Sequence, residues 1–395
     1  MEKQLLDRSQ EEYQTLQAGH TAREIQQQPQ LWQDIQRIIT QEIPAIETFL
    51  QKQRTEQTKI IFTGAGTSEF VGNTVVPYLQ SRGCRNFSSI SSTDLVSSPE
   101  SYLSPEDEVL LVSCARSGSS PESVAAARLV DAYARRTAHL ILCCNPQGEL
   151  ARQYQGQSNA FVLILKGACD LGFAMTGSFS SMVLAAAIIF DGPGTAKQTE
   201  QARTYAPAAQ TLINTLAADI QDICRQGKQR IICLGSAQMK GIAQEAHLKI
   251  LELSAGKHTA HFDSPLGFRH GPKSLLNDQS LVLFFMSDSP YTRRYEYDLL
   301  QEMCSNAGEH YIVAISPAPL PPNVPCDKLL LIPSAPPGAS YFHALSAVLV
   351  AQLIALENSI RLGITPDNPS PSGLVNRVVQ GVTIYPHSGP PASTP

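Results

Sequence analysis

The chain of 395 residues repeats itself once. Lys59, Ile60, Ile61 and Gly64 recur as Arg230, Ile231, Ile232 and Gly235, Leu110 and Leu111 as Leu281 and Val282, and His139 to Pro146 as His310 to Pro317, all at a separation of 171 residues. A period of that length is a whole domain rather than a solenoid unit, so two copies of one fold are expected. In the first copy the short apolar runs KIIFT, VLLV, HLILCC and FVLIL alternate with helical stretches, the texture of a parallel sheet covered on both faces. Helices rich in Ala, Val and Leu around 177–190 and 338–356 close the two halves, and Ala-rich helices at 200–226 connect them. The fold class is α/β, with two tandem parallel-sheet sandwiches related by internal duplication, and the length suits two hydrophobic cores. The expected divisions are an N-terminal helical segment over 1–48, a first domain over 49–215, a second over 216–360 and a tail over 361–395. Pro29 and Pro44 are expected at the joints of the N-terminal helices. The middle of the tail, GLVNRVVQGVTIYP, is too apolar for disorder and is expected to pack back on the domains near the active site, leaving only the last residues loose.

Charge narrows the partners. The net charge is −5, with no basic block and no interleaved aromatics, which speaks against nucleic acid and anionic membranes. The nine cysteines include no CxxC pair, and Cys143, Cys144 and Cys233 sit inside apolar runs, as reduced core residues of a cytoplasmic protein do. The polar start MEKQLLDRSQ lacks a signal peptide's apolar stretch. No apolar run reaches the roughly 18 to 20 residues that cross a membrane. No metal-ligand spacing is visible, and neither a metal nor a cofactor is expected.

The reactive groups fall in three places. In EAHLKILELS the residues Glu245, Lys249 and Glu252 stand at i, i+4 and i+7, one stripe of a helix. Such a stripe is ordinarily a solvated face, but Leu248 and Leu253 flank it and Ala243, Ala246, Ile250 and Leu251 fill most of the remainder. Buried charge of this kind needs a ligand or a purpose. His270 follows by one loop, in the frame FRHGP. After VLLV comes SCARSGSSPES, in which Ser120 is a good N-cap and Pro121 a good first helical residue. Backbone amides there, with Ser117, Ser119 and Ser120 and with Arg116 beside them, make a cradle for a phosphate at the carboxyl end of a strand. GAGTSEFVG places Thr67 and Ser68 after another strand end, and its glycines match a dinucleotide fingerprint only loosely. Asp170, Thr176 and Ser178 precede an apolar helix, and Asp170 is at least as well explained as its cap. Together the groups suit moving a proton next to a carbonyl in a small phosphorylated molecule: serines hold the phosphate, a carboxylate takes the proton and a histidine handles oxygen protonation.

With GAGTSE, SCARSGSSPES and CNPQGELA on two α/β copies, the chain resembles the double sugar isomerase (SIS) domain proteins, and EAHLKILELS with RHGP resembles the isomerase half of glucosamine-6-phosphate synthase. HTAREIQQQPQLW, SPLGFRHGPKSLL and DNPSPSGLVNRVVQGVTIYP are similar to the bacterial galactosamine-6-phosphate deaminase/isomerases, also labelled tagatose-6-phosphate ketose/aldose isomerases. The resemblance spans about residues 20 to 386. It implies that Glu252 is the base shuttling a proton between C1 and C2, with Lys249 and Glu245 beside it. It further implies that His270 assists ring opening from a neighbouring subunit, and that Ser68, Ser117 and Ser120, with Thr67 and Ser119 nearby, bind phosphate. Where the synthase has a lysine in its C-terminal NLAKSV, Gln380 stands here as a possible substrate contact with Arg116, so ring opening falls more to His270 or Lys249. The implied activity converts galactosamine 6-phosphate to tagatose 6-phosphate and ammonia, in a homo-oligomer that is at least a dimer with shared active sites. The chain begins on a polar helix rather than an ammonia-supplying amidotransferase domain, which favours deamination over synthesis. The alternatives are a plain aldose/ketose isomerase on tagatose 6-phosphate and, from another class, a sugar-phosphate-sensing regulator without chemistry.

Overall fold

Ten strands form two five-stranded parallel sheets, one in each copy. The computed structural model describes residues 5–191, 195–306, 308–379 and 381–387. In the first copy β1 (Lys59–Thr63), β2 (Phe87–Ser89), β3 (Glu108–Ala115), β4 (Arg136–Cys143) and β5 (Ala160–Ile164) lie in the order β2-β1-β3-β4-β5. In the second, β6 (Arg230–Gly235), β7 (Thr259–Asp263), β8 (Ser280–Phe285), β9 (Tyr311–Ser316) and β10 (Lys328–Leu331) lie in the order β7-β6-β8-β9-β10, the same topology. The expected fold class is therefore the observed one. Ile60 pairs with Leu110 and Ile231 with Leu281, so the 171-residue repeat holds across the central strand pairs. Between β3 and β4 Leu110 faces Ala138, whereas between β8 and β9 Leu281 faces Tyr311, a slip of two residues against that repeat. An even slip leaves every side chain on its own face of the sheet, so the core tolerates it.

The helices that matter for the site are α1 (Thr67–Ser81), α2 (Pro121–Tyr133), α3 (Gly177–Phe190), α4 (Gln238–Leu253), α5 (Pro290–Ser305) and α6 (Tyr341–Arg361). One core gathers Leu111, Val124, Val130 and Ile141, the other Ile232, Phe284, Leu300 and Met303, all buried. α6 is 21 residues long and apolar enough to cross a membrane, contrary to the expectation that no segment would be. It is a core helix, with 94% of its apolar window buried inside the protein. Pro44 does not mark a joint either. The helix Gln28–Gln53 continues through it, giving up the one bond that its missing N–H would have made to Thr40, while Pro29 does stand at that helix's start.

The chain divides into two compact units: the described residues of Asp34–Cys169, Ser181–Thr199 and Val375–Pro395, and those of Met1–Gln33, Asp170–Ser180 and Glu200–Leu374. This division differs from cuts at 48, 215 and 360 because hydrogen bonds tie distant segments into the second-copy unit. Glu24 accepts from the amides of Leu171 (2.5 Å) and Gly172 (3.1 Å), and Gln28 donates to Gln352 (2.6 Å). Asp367 accepts from the amides of His20 (2.9 Å) and Thr21 (2.8 Å). The tail was expected to bury its apolar middle. Instead Leu374 and Tyr385 are 87% and 80% exposed, because an irregular segment has no apolar face to turn inward. Polar ties hold it to the first-copy unit: Arg116 donates to the Arg377 carbonyl (2.6 Å), and His387 meets Tyr133 (3.1 Å) and Glu100 (2.8 Å).

Candidate active site

In the first-copy unit, two loops leave neighbouring strands at their carboxyl ends, since Thr63 of β1 pairs with Ser113 of β3. The loop after β1 turns sharply into α1. A Cβ on Gly64 would lie 2.6 Å from the Ser68 backbone, and Gly66 sits at φ 55°, ψ −128°, which a side chain rarely adopts. That turn brings Thr67 and Ser68 to the first turn of α1, both buried. The loop after β3 carries Ser117 and Ser120, half-buried, and Ser119, exposed, directly before α2. As expected, Ser120 is the N-cap residue and Pro121 the first helical one, but the Ser120 hydroxyl makes no capping bond and so is not consumed by the helix. The motif CNPQGELA is the buttress of this loop. Asn145 donates to the Ser117 carbonyl (3.3 Å), Glu149 N–H to Ser119 Oγ (3.1 Å) and Leu150 N–H to the Gly118 carbonyl (2.8 Å). Gly148 is obligatory there, because a Cβ would stand 2.4 Å from the Ser117 oxygen. Amides and hydroxyls fixed at a helix start on a strand's carboxyl edge can hold a phosphate. Arg116 is buried, with its guanidinium engaged by the tail, and Gln380 lies outside the described residues.

In the second-copy unit α4 is buried along most of its length against α6, β6 and β7. Glu245 and Lys249 are both 0% exposed, whereas the Glu252 side chain keeps 23% of its surface open. The Lys249 ammonium lies 2.5 Å from Glu252 Oε2 and 3.4 Å from Glu245 Oε1. The stripe is thus an ion-paired set in which one cation bridges two carboxylates, and only the last carboxylate reaches solvent. Ion pairs this deep cost desolvation unless the geometry is good, so they are weak stability devices and better read as poised chemistry. His247, on the same helix, has its pKa lowered by burial, against the raising pull of its bond to the Gln244 carbonyl.

The segment from α4 to His270 is not one loop. β7 pairs with β6 within it, and a single helical turn, Pro265–Phe268, is capped by Ser264 Oγ, which accepts from Gly267 N–H at 3.1 Å. Arg269 is held by Glu302 (2.8 Å), as is Lys273. Between these two anchors His270 stands exposed, and Gly271 takes φ 118°. Among the described residues the His270 side chain makes no hydrogen bond to Glu252 within the chain. Asp170 is a cap, as its bland reading had it: its carboxylate accepts from the amides of Thr176 (2.8 Å), Gly177 (3.0 Å) and Ser178 (3.0 Å) at the start of α3. Missed from the sequence were Glu24 and the Asn145–Gly148 buttress, whose partners lie far along the chain.

Residues 55–190 match the SIS domain. The chain is 40% identical over 372 residues to D-galactosamine-6-phosphate deaminase of Escherichia coli, covering 93% of this chain and 95% of that protein. The crystal structure of tagatose-6-phosphate ketose/aldose isomerase from Escherichia coli is 36% identical with a TM-score of 0.84, covering 93% of this chain and 97% of that one. A crystal structure from Clostridium novyi, provisionally assigned to the same isomerase, is 39% identical with a TM-score of 0.93, covering 98% and 100%.

Proposed function

The chain belongs to the SIS domain family and, within it, to the galactosamine-6-phosphate deaminases, and we infer that it converts galactosamine 6-phosphate and water to tagatose 6-phosphate and ammonia. The observation that carries the chemistry is the Glu245–Lys249–Glu252 set, buried at one end and open at Glu252. The first copy's serine loops take the phosphate. The ring opens with help from His270, Glu252 removes the proton from C2 of the open aldehyde, and the same carboxyl returns it to C1. The product is a ketimine at C2, which water hydrolyses to the ketose and ammonia. Lys249 lies between Glu252 and Glu245 and holds the open carboxylate in place.

Glu252→Gln is expected to abolish ammonia release while sugar-phosphate binding stays within severalfold; near-normal turnover in that variant would sink the assignment. Incubation with galactosamine 6-phosphate, glucosamine 6-phosphate and tagatose 6-phosphate separately distinguishes the readings. Ammonia supports deamination, ketose–aldose exchange without ammonia supports the plain isomerase, and no product from any of the three supports the regulator. The exposure of His270 and of the apolar tail supports a homodimer in which each chain lends His270 to its partner's site. Nine cysteines, none of them in a disulfide among the described residues, support a cytoplasmic location.

A further inference from the structure

Arg269 and Lys273 stand on either side of His270, Gly271 and Pro272, and both meet one carboxylate. Arg269 Nε lies 2.8 Å from Glu302 Oε2, and Lys273 Nζ pairs with Oε1 of the same residue. Between the two cations the chain bends. Gly271 takes φ 118° there, a conformation that a side chain would strain, and Pro272 opens a short 3-10 turn, Pro272–Leu275. The exposed His270 lies in that bend.

Glu302 is a fixed point for this segment. It stands on α5 among Leu299, Leu300 and Met303, which are buried in the second core, so its backbone does not depend on the bend. The same core takes Phe268 before the bend and Leu275 and Leu276 after it. Those apolar anchors hold the ends of the segment. Among the described residues, the two pairs to Glu302 are the polar side-chain ties of residues 269–273. The hydrogen bond from Lys273, and with it the charge of Arg269, outweighs desolvation and holds the Glu302 carboxyl below the usual carboxylate range, so the clamp is charged at neutral pH. Partly exposed ion pairs of this kind add little to stability, and what they add here is position.

We propose that Glu302 is a positioning residue for His270. Its two ion pairs close residues 269–273 into one fixed bend, and that bend sets where the imidazole stands when the sugar ring opens. Glu302 touches no substrate and acts through the histidine alone. The inference rests on the reading of His270 as the ring-opening group, and it holds whether the histidine serves its own chain's site or a partner's.

Full-length wild type, E302Q, H270A and the double variant H270A/E302Q are compared by ammonia release from galactosamine 6-phosphate and by melting. E302Q is expected to lose about ten- to a hundredfold in kcat, the cost of a group displaced by roughly an ångström, with KM within about twofold. Its melting point should stay close to that of wild type, since partly exposed pairs carry little stability. In the H270A background the same substitution is expected to cost nothing further, because Glu302 then has no imidazole to place. A wild-type kcat in E302Q beside an impaired H270A overturns the proposal, as does a loss from E302Q that persists undiminished in H270A. A wild-type kcat in H270A overturns the reading of His270 itself, and the proposal with it. Should E302Q not fold, R269Q and K273Q each remove one arm of the clamp. A fall in kcat that vanishes in the H270A background then supports the proposal, and a wild-type kcat in both overturns it.

Discussion

Glu252 differs from Glu245 chiefly by exposure: both face Lys249, at 2.5 and 3.4 Å, yet only Glu252 is open to solvent. Spacing on a helix made the three-residue stripe legible, because i, i+4 and i+7 share a face whatever the fold. It could not say which end opens, since that depends on what α6, β6 and β7 cover. Glu24 was not legible at all, because its partners Leu171 and Gly172 stand 147 and 148 residues away. Burial, and then the nearby Asp170 charge, raise its pKa to about 7, against the pull of those two amides. A carboxyl raised in the folded state contributes stability that is fully present below its unfolded value near 4.5 and is lost as pH rises through about 7. Glu24→Gln should therefore remove part of the fall in stability between those values, up to roughly 3 kcal/mol. Urea unfolding at a series of pH values checks this, and an unchanged pH slope would contradict the assignment. Glu296 acts in the same direction, so some slope remains in that variant.

Among elements, the central strands were read directly, because a parallel sheet covered on both faces leaves near-continuous apolar runs such as IIF and VLFF. β2, β7 and β10 were not. They are short edge strands: FSS and TAHFD mix polar with apolar residues and carry no such run, and KLLL is only four residues long. The turn into α4 permits a further prediction. Ala237 is exposed at a positive φ, so nothing is lost in packing by removing its methyl group. Ala237→Gly relieves a strain of roughly 1–3 kcal/mol, partly offset by the greater freedom of glycine in the unfolded chain. The variant should be stabilised by about 1 kcal/mol, seen as a higher urea midpoint with an unchanged slope. A loss of stability would show that the methyl group makes contacts of its own.

At the scale of the whole molecule, the proposed site residues are spread over both copies: the serine loops in one, the Glu–Lys–Glu helix and His270 in the other. If His270 serves a partner chain, Glu252→Gln and His270→Ala subunits, each inactive alone, should regain about a quarter to a half of wild-type ammonia release after mixing and exchange, through heterodimers with one intact site. No recovery on mixing, with exchange verified, would place both residues in one chain's own site. The sequence by itself determined the duplication, the α/β class, the stripe and the position of the serine loops after the strands, because these rest on short-range periodicity and on a repeat that any alignment exposes. Only the tertiary structure decided that Lys249 bridges two carboxylates with one end open, that Asn145 and Gly148 buttress the serine loop, and that the buried Glu296 accepts from the Ser287 amide. Each of these depends on side chains or segments brought together by packing, and the burial that gives them their chemistry exists only once the chain has closed around them.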